Sequence, residues 1–513
     1  MNRRDLLKAS LVGGVAAPAF AQAPPASSGL GCGDCFAKEI ALAMPSAPRL
    51  KVTGVKTFGV TSDALPRDRP HVFVKIETDA GVVGWGEATL EGKAGAALQA
   101  VHDLSYAVIG QDPMHVEHHW QSMYIHAFYR SGPVLGSAIS GIDQALWDIR
   151  GKVLGRPVYE LLGGPIDERG VRGYYHLRPV LPKDAPYREQ VAAIRERAEK
   201  FGVTAFKTGI PGYYEWIDTH QRIKEAIDQL HVLREVMGDA IDIAVDFHAK
   251  TSPAVALQIC REVESLNLMF VEEPCPPENV KAMKRISDRT TVPIATGERL
   301  ITPYGCRELI EGKVVDILQV DVNHVGGVSA LWKVAAMAEP SGIVMAPHAC
   351  EGPVGAVASM HVDAAMPNFL VQEICSGVEP DAKDALWQEL LGYPAMRMVD
   401  GYYPLPTKPG LGFEVSEAAL ILGFAKRAEL DLQPNGRRVL GRLVVHDGIS
   451  HAVGQRAVAD RGVRGDVGEM DSPAVHVRLR LCCRRCLRCG SCGCSGGCKA
   501  KCDSNAAGAR KQR

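Results

Sequence analysis

Asp246, Glu272 and Glu298 are three carboxylates spaced 26 and 26 residues apart, each at the end of a short apolar run. Side chains at equivalent points of a repeated unit converge when the units close on one another. Three unpaired carboxylates brought together repel and raise each other's pKa. A hard divalent cation resolves that repulsion, and oxygen ligands that leave coordination positions open suit Mg²⁺. Two imidazoles join them. His248 lies two residues beyond Asp246, so on an extended strand it points the same way. His348 ends another apolar run and Asp321 the run before it. A carboxylate beside an imidazole fixes its tautomer and raises its basicity, and two histidines facing a metal site suit a general acid and a general base. Glu373 ends one more such run, and Lys207 stands within another, where it is placed to contact a substrate.

The elements that must position these groups follow a rhythm. Candidate strands span 171–176, 205–207, 242–246, 268–272, 293–297, 316–320, 343–347 and 369–372. Stretches such as 252–265 and 279–289 lie between them, with apolar residues at i, i+3 and i+4. Eight strand–helix units in sequence predict a (β/α)8 TIM barrel, an α/β fold whose chemistry gathers where the strands end. Ahead of it, strands at 52–60, 71–78 and 82–87, a turn at 79–81 and a helix at 138–154 predict an α+β domain. The expected organisation is a signal and linker over 1–48 and a capping domain over 49–165. The barrel follows over 166–387, then a return to the capping domain over 388–429, built around the Pro-rich 402–414, and a tail over 430–513.

Composition separates the body from its ends. Residues 436–513 hold 16 Lys/Arg against 6 Asp/Glu; the remainder holds 42 against 53 and is acidic, which argues against nucleic acid as a partner. No apolar run after the N-terminal segment is long enough to span a membrane. The start, Met-Asn-Arg-Arg, a mild apolar stretch over 9–20 and Ala19-Phe20-Ala21, reads as a twin-arginine export signal, so a periplasmic or otherwise exported location is expected. Eight of the 15 cysteines crowd into 482–502, in a basic, Gly-rich tract that offers little core and is expected to be disordered and dispensable. Cys260, Cys275, Cys306, Cys350 and Cys375 show no paired spacing and are expected to be small buried apolar groups.

With these residues in view, the chain resembles the enolase superfamily in its mandelate racemase-type branch. The resemblance covers residues 50–425. It rests on Gly84-Trp85-Gly86-Glu87, on the run from Gly141 to Asp148, on Val271-Glu272-Glu273-Pro274 and on Gly297-Glu298-Arg299. Within that branch it is most similar to the D-galactonate dehydratases, through Asp246-Phe247-His248, Gln319 to Gly327 with its Gly-Gly, Ala346-Pro347-His348 and Gln372-Glu373. The resemblance implies Mg²⁺ on Asp246, Glu272 and Glu298, His348 oriented by Asp321 as the base, and His248 as the acid. It also implies that Glu373 hydrogen-bonds the carboxylate of an aldonate and that the protein is a homo-oligomer. The expected reaction is a sugar-acid dehydration to a 2-keto-3-deoxy acid. The alternatives are an epimerase or cycloisomerase of the same superfamily, or an exported sugar-acid binding protein. Two features depart from the family pattern. Gly209 stands where racemases and lactonising enzymes place a second lysine, and the loops at 174–187 and 67–70 do not match the galactonate enzymes.

Overall fold

The computed structural model describes residues 49–61, 65, 69–210, 218–375, 382–391, 397–417, 420 and 445–447. The expected export signal and linker, and nearly all of the expected tail, lie outside the described residues.

The first layer is an antiparallel sheet of β1 (Val52–Val60), β2 (His71–Thr78) and β3 (Val83–Glu87). Helices α1 (Ala94–Leu104), α2 (Val116–Tyr124), α3 (Pro133–Leu154) and the single turn α4 (Val158–Leu161) follow. Two glycines set how closely α3 approaches the sheet. A Cβ on Gly86 would stand 2.0 Å from the carbonyl oxygen of Gly141, and one on Gly84 would stand 2.1 Å from that of Ala145. Only a residue without a side chain lets strand and helix backbones meet there.

One reading of the tail needs correcting. Val445–Asp447 of the segment expected to be disordered forms a strand on the outer edge of β1, with Phe58 opposite Val445. The backbone N–H and C=O groups of that edge of β1 are available for pairing, and a short extended segment satisfies them.

The second layer is a parallel barrel. Its strands are β4 (Val171–His176), β5 (Ala205–Gly209), β6 (Asp242–Asp246), β7 (Phe270–Glu272), β8 (Ile294–Thr296), β9 (Ile317–Leu318), β10 (Val344–Met345) and β11 (Gln372–Glu373). Neighbours pair in chain order and β11 pairs back onto β4. Met345 bridges Phe369 on the approach to β11, so the ring closes. Between the strands run α5 (Tyr187–Lys200), α6 (His220–Met237), α7 (Pro253–Glu262), α8 (Val280–Ser287), α9 (Thr302–Glu311), α10 (Gly327–Ala338) and α11 (Pro353–Asp363). Helix α12 (Ala382–Leu391) follows the last strand.

The barrel interior is a core of its own. Tyr174, Ala205, Ala244, Phe270, Ala295, Ile317, Ala346 and Val371 pack together, one from each strand or the residue flanking it. Side chains alternate across a strand, so the residue two further on faces the same interior, one layer nearer the mouth. That rule places His176, Lys207, Asp246, Glu272, Gln319, His348 and Glu373 in the layer above the core.

After α12, β12 (Tyr402–Tyr403) pairs antiparallel with the start of β4. The chain then runs back to α3, where the Leu411 N–H donates to Asp148 Oδ1 at 2.8 Å.

The close approach at β3 yields a stability prediction. Gly86→Ala forces strand and helix apart and should destabilise the protein by about 1–3 kcal/mol or more, the usual cost of overpacking. Gly95→Ala, early in α1 with nothing within 4 Å, is the control. It should be neutral or stabilising by about 0.5–1 kcal/mol. Equal melting temperatures for wild type and Gly86→Ala would contradict the packing argument.

Candidate active site

The mouth of the barrel opens into a cavity of about 690 Å³ lined by residues of both layers. At its floor Lys207 is buried, its Nζ 2.7 Å from Glu272 Oε2, 3.0 Å from Asp246 Oδ2 and 3.0 Å from Glu373 Oε1. Burial disfavours the ammonium, but Asp246, Glu272 and Glu373 outweigh it and hold Lys207 well above the usual lysine range. Glu272 responds to the same crowding. Burial, and then Asp246, push it well above the usual carboxylate range; Lys207 opposes them, and Glu373 and Glu298 add to the rise. Gln319 Nε2 donates to Glu272 Oε2 at 2.7 Å, whereas Glu272 Oε1 is buried with no hydrogen-bond partner among the described residues.

Glu298 reaches the site by a different route. It follows Gly297, whose φ of 150° breaks the strand alternation and turns the next side chain to the mouth. A Cβ on Gly297 would stand 2.6 Å from the Gln319 nitrogen, so the chain passes there only as glycine. Glu298 Oε2 lies 3.5 Å from His348 Nε2. Next to it, Arg299 is hydrogen-bonded to the buried Glu273, whose pKa is pushed up to about 7, chiefly by burial and by Glu298.

The two histidines differ in setting. His348 is nearly buried, and its Nδ1 pairs with Asp321 Oδ2 at 2.6 Å. Asp321 is fixed in turn by the Asn323 N–H at 2.6 Å. An ionised carboxylate accepts, so Nδ1 carries the proton and Nε2 faces the cavity, 3.8 Å from Glu373 Oε2. Burial opposes protonation of His348, but Glu373, Asp321 and Glu298 together hold it well above the usual histidine range. His248 is half exposed. The expectation that it continues an extended strand is corrected: β6 ends at Asp246, and His248 and Ala249 are left-handed, with φ of 47° and 53°. Asp246 Oδ1 accepts the His248 N–H at 2.7 Å, and the turn brings His248 Nε2 to 3.1 Å from Asp246 Oδ2.

Glu373 is buried and ionised. Burial raises its pKa, but Lys207, His348 and His176 pull it well below the usual range. His176 Nε2 lies 2.9 Å from Glu373 Oε1. All eight residues singled out in the sequence therefore meet at one mouth, with Asp246, Glu272 and Glu373 sharing Lys207.

Sequence reasoning passed over a second polar chain. Ser137 pairs with His324, His324 Nε2 lies 3.2 Å from Glu351 Oε1, and Arg69 lies 3.5 Å from Glu351 and also pairs with Glu91. Arg69, His324 and Glu351 all line the cavity. Their only signal in the sequence was position: His324 and Glu351 each follow a site residue by three, and Arg69 belongs to the deviant loop. A further correction concerns the cysteines. Cys260, Cys275 and Cys306 are buried as expected, but Cys350 and Cys375 are only half-buried and line the cavity.

The carboxylate set fits a hard cation. Its donors are all oxygen, Glu272 keeps a buried unpartnered oxygen, and the crowding that raises its pKa is what a cation relieves.

The Lys207 cluster generates a prediction. Removing the one cation that three buried carboxylates share leaves uncompensated charge, a loss of about 3–5 kcal/mol for a broken buried pair. Lys207→Met should therefore be much less stable than wild type in urea titrations of metal-free protein. An unchanged unfolding midpoint would show that Lys207 does not hold the floor together.

Comparison with known proteins agrees with this architecture. Residues 60–163 match the mandelate racemase/muconate lactonizing enzyme N-terminal domain, and residues 189–419 match the enolase C-terminal domain-like family. A "putative dehydratase" from Mesorhizobium loti is 32% identical, with a TM-score of 0.66 over 72% of this chain and 98% of that one. A "putative dehydratase" from Salmonella typhimurium is 30% identical, with a TM-score of 0.68 over 73% and 98%. A mandelate racemase/muconate lactonizing enzyme-like protein from Rubrobacter xylanophilus is 28% identical, with a TM-score of 0.65 over 74% and 98%. The chain belongs to the enolase superfamily, in its mandelate racemase branch.

Proposed function

We propose that this protein is a Mg²⁺-dependent sugar-acid dehydratase, similar to the D-galactonate dehydratases, that converts an aldonate to a 2-keto-3-deoxy acid. The observation that carries the reading is the pair of unequal imidazoles at one mouth. His348 is locked on Asp321 with Nε2 turned inward, and His248 stands beside Asp246 with half its surface exposed. Neighbours named as dehydratases, in the same branch of the superfamily, support the same class of reaction.

Asp246, Glu272 and Glu298 would hold the Mg²⁺. When bound, it supplies positive charge where a substrate carboxylate gains electron density, which lowers the barrier to losing the neighbouring proton. The protein's own groups do the rest. Lys207 offers donors to the substrate carboxylate, and Glu373 orients that ammonium. An ionised Glu373 cannot itself donate to a carboxylate, so its part is to place Lys207. In its neutral form His348 takes the proton from C2 on Nε2, and Asp321 stabilises the imidazolium that forms. His248 gives a proton to the 3-hydroxyl, which departs as water because hydroxide is a poor leaving group. The enol left behind becomes the 2-keto acid. Atoms balance as one H and one OH lost from substrate.

Gly209 lines the cavity at the position where a second lysine base would stand. Its absence leaves the two faces of the substrate to the two histidines alone. Epimerisation could use the same pair, but it gives no semicarbazide-reactive product, whereas dehydration does. If the export signal acts as its sequence reads, the reaction takes place outside the cytoplasm. Among the described residues no helix is long and apolar enough to cross a membrane.

Two measurements test this reading. Chelation should abolish turnover and Mg²⁺ should restore it; full activity in protein shown by metal analysis to be metal-free would remove the mechanism. Substitution of the histidines should separate their roles, each loss costing about 10²–10⁴ in dehydration rate. In D₂O, His348→Asn should stop C2 proton exchange as well as dehydration. His248→Asn should stop dehydration while retaining C2 exchange. The reverse pattern by proton NMR would swap the two assignments.

A further inference from the structure

The barrel mouth carries hard ligands on one arc and soft ligands on the other. Asp246, Glu272 and Glu298 end or follow β6, β7 and β8. On the far side, β10, β11 and β4 are consecutive around the ring. Cys350 lies two residues beyond His348 in the segment that follows β10, Cys375 lies two beyond Glu373 in the segment that follows β11, and His176 ends β4. The Cys350 Sγ, the Cys375 Sγ and a ring nitrogen of His176 lie within 4.8 Å of one another. All three residues are half-buried and line the cavity, unlike Cys260, Cys275 and Cys306, which burial seals off.

The backbone around the pair is anchored. Arg178 donates to the Cys375 carbonyl at 2.9 Å and reaches its Sγ at 3.5 Å, Lys383 also donates to that carbonyl, and Arg69 donates to the Cys350 carbonyl at 2.9 Å. Two cysteines distant in sequence are thus held side by side at a place a solute can reach.

We propose that Cys350, Cys375 and His176 form a second cation site, selective for thiophilic divalent ions of the zinc class and distinct from the carboxylate set. Two thiolates and an imidazole are a common donor set for Zn²⁺, and soft sulfur has little affinity for Mg²⁺. Zn–S and Zn–N bonds of about 2.3 and 2.0–2.1 Å put tetrahedral donor atoms roughly 3.5–3.8 Å apart. From separations of at most 4.8 Å, the three atoms need to close by no more than about 1.0–1.3 Å to reach that geometry. Binding releases the thiol protons to solvent. Cys350 also lies in a set with His348 and Glu373 whose donor atoms fall within 4.8 Å. An ion on the thiols therefore crowds the part of the cavity that those two residues face.

The test uses the full chain and reads each cysteine separately, because the eight cysteines at 482–502 offer competing thiols. Iodoacetamide labelling followed by peptide mass spectrometry should show Cys350 and Cys375 reacting in metal-free protein. Zn²⁺ should slow both together, and Mg²⁺ should slow neither. In His176→Ala the Zn²⁺ concentration needed for protection should rise at least about 10-fold, the loss that even outer-sphere partners cause. Labelling unchanged by Zn²⁺, or protection unaffected in His176→Ala, would overturn the site. Co²⁺ gives an independent reading that also decides the case in which the two cysteines resist alkylation without metal. Wild type should show more thiolate-to-Co²⁺ absorption than Cys350→Ser, Cys375→Ser or the double variant, each checked for folding by circular dichroism. Equal absorption in wild type and any folded variant would overturn it as well.

Discussion

The floor of the catalytic cavity is a problem in buried charge, and the rest of the molecule is organised around it. Asp246, Glu272 and Glu373 are almost wholly out of water and within reach of a single ammonium, that of Lys207. Carboxylates in that position are costly unless a cation stands among them. One lysine cannot neutralise three acids, and burial, then Asp246, raise the pKa of Glu272 against the pull of Lys207. Glu298 and the His348–Asp321 pair extend the same network toward solvent. Buried carboxylate oxygens in excess of the nearby ammonium suit a hard divalent cation, the role proposed for Asp246, Glu272 and Glu298 above.

The capping layer holds this arrangement in register. Helix α3 packs directly on the loop that follows β9, where Gly326 and Gly327 let the chain run against Trp120 and Asp143. Ser140 accepts the Gly326 N–H, Asp143 accepts from Ser329, and Gln144 donates to Asn323, the residue whose N–H orients Asp321. At the end of β3, Glu87 accepts the N–H groups of Val354 and Gly355 at the start of α11, five residues beyond His348. A carboxylate at a helix N-terminus is favourable. Burial nevertheless pushes Glu87 up to about 7, against the hydrogen bonds from Thr89 and Gly355. α3 and β3 are thus tied through these partners to the segments that carry Asp321 and His348.

Much of this was legible in the sequence because two periodicities coincide. The repeat of strand and helix fixed the barrel, and alternation within each strand carried the interior core residues to the site residues two positions on. The predicted strands at 171–176 and 242–246 match β4 and β6 residue for residue, and 52–60 and 71–78 match β1 and β2. Strands β9 and β10 are shorter than predicted, and Asp321 and His348 lie in the irregular segments that follow them. What was not legible depends on contacts distant in sequence. Lys207 reads as a barrel-end lysine and proves to be the counter-ion of the whole floor. Cys350 and Cys375 lack any spacing signal because ring closure, not local sequence, brings β10, β11 and β4 together. His248 reads as a strand residue, but two left-handed residues fold it back onto Asp246.

In the function proposed for them, these groups remove a proton and a hydroxyl from adjacent carbons of one sugar acid. The most direct measurement is proton NMR of the Mg²⁺-loaded full chain in D₂O with a panel of aldonates and uronates, with mass spectrometry of the products. At least one member of the panel should lose its C2 proton together with one molecule of water and give a 2-keto-3-deoxy acid. Exchange or inversion at C2 with no loss of water from any member would contradict it.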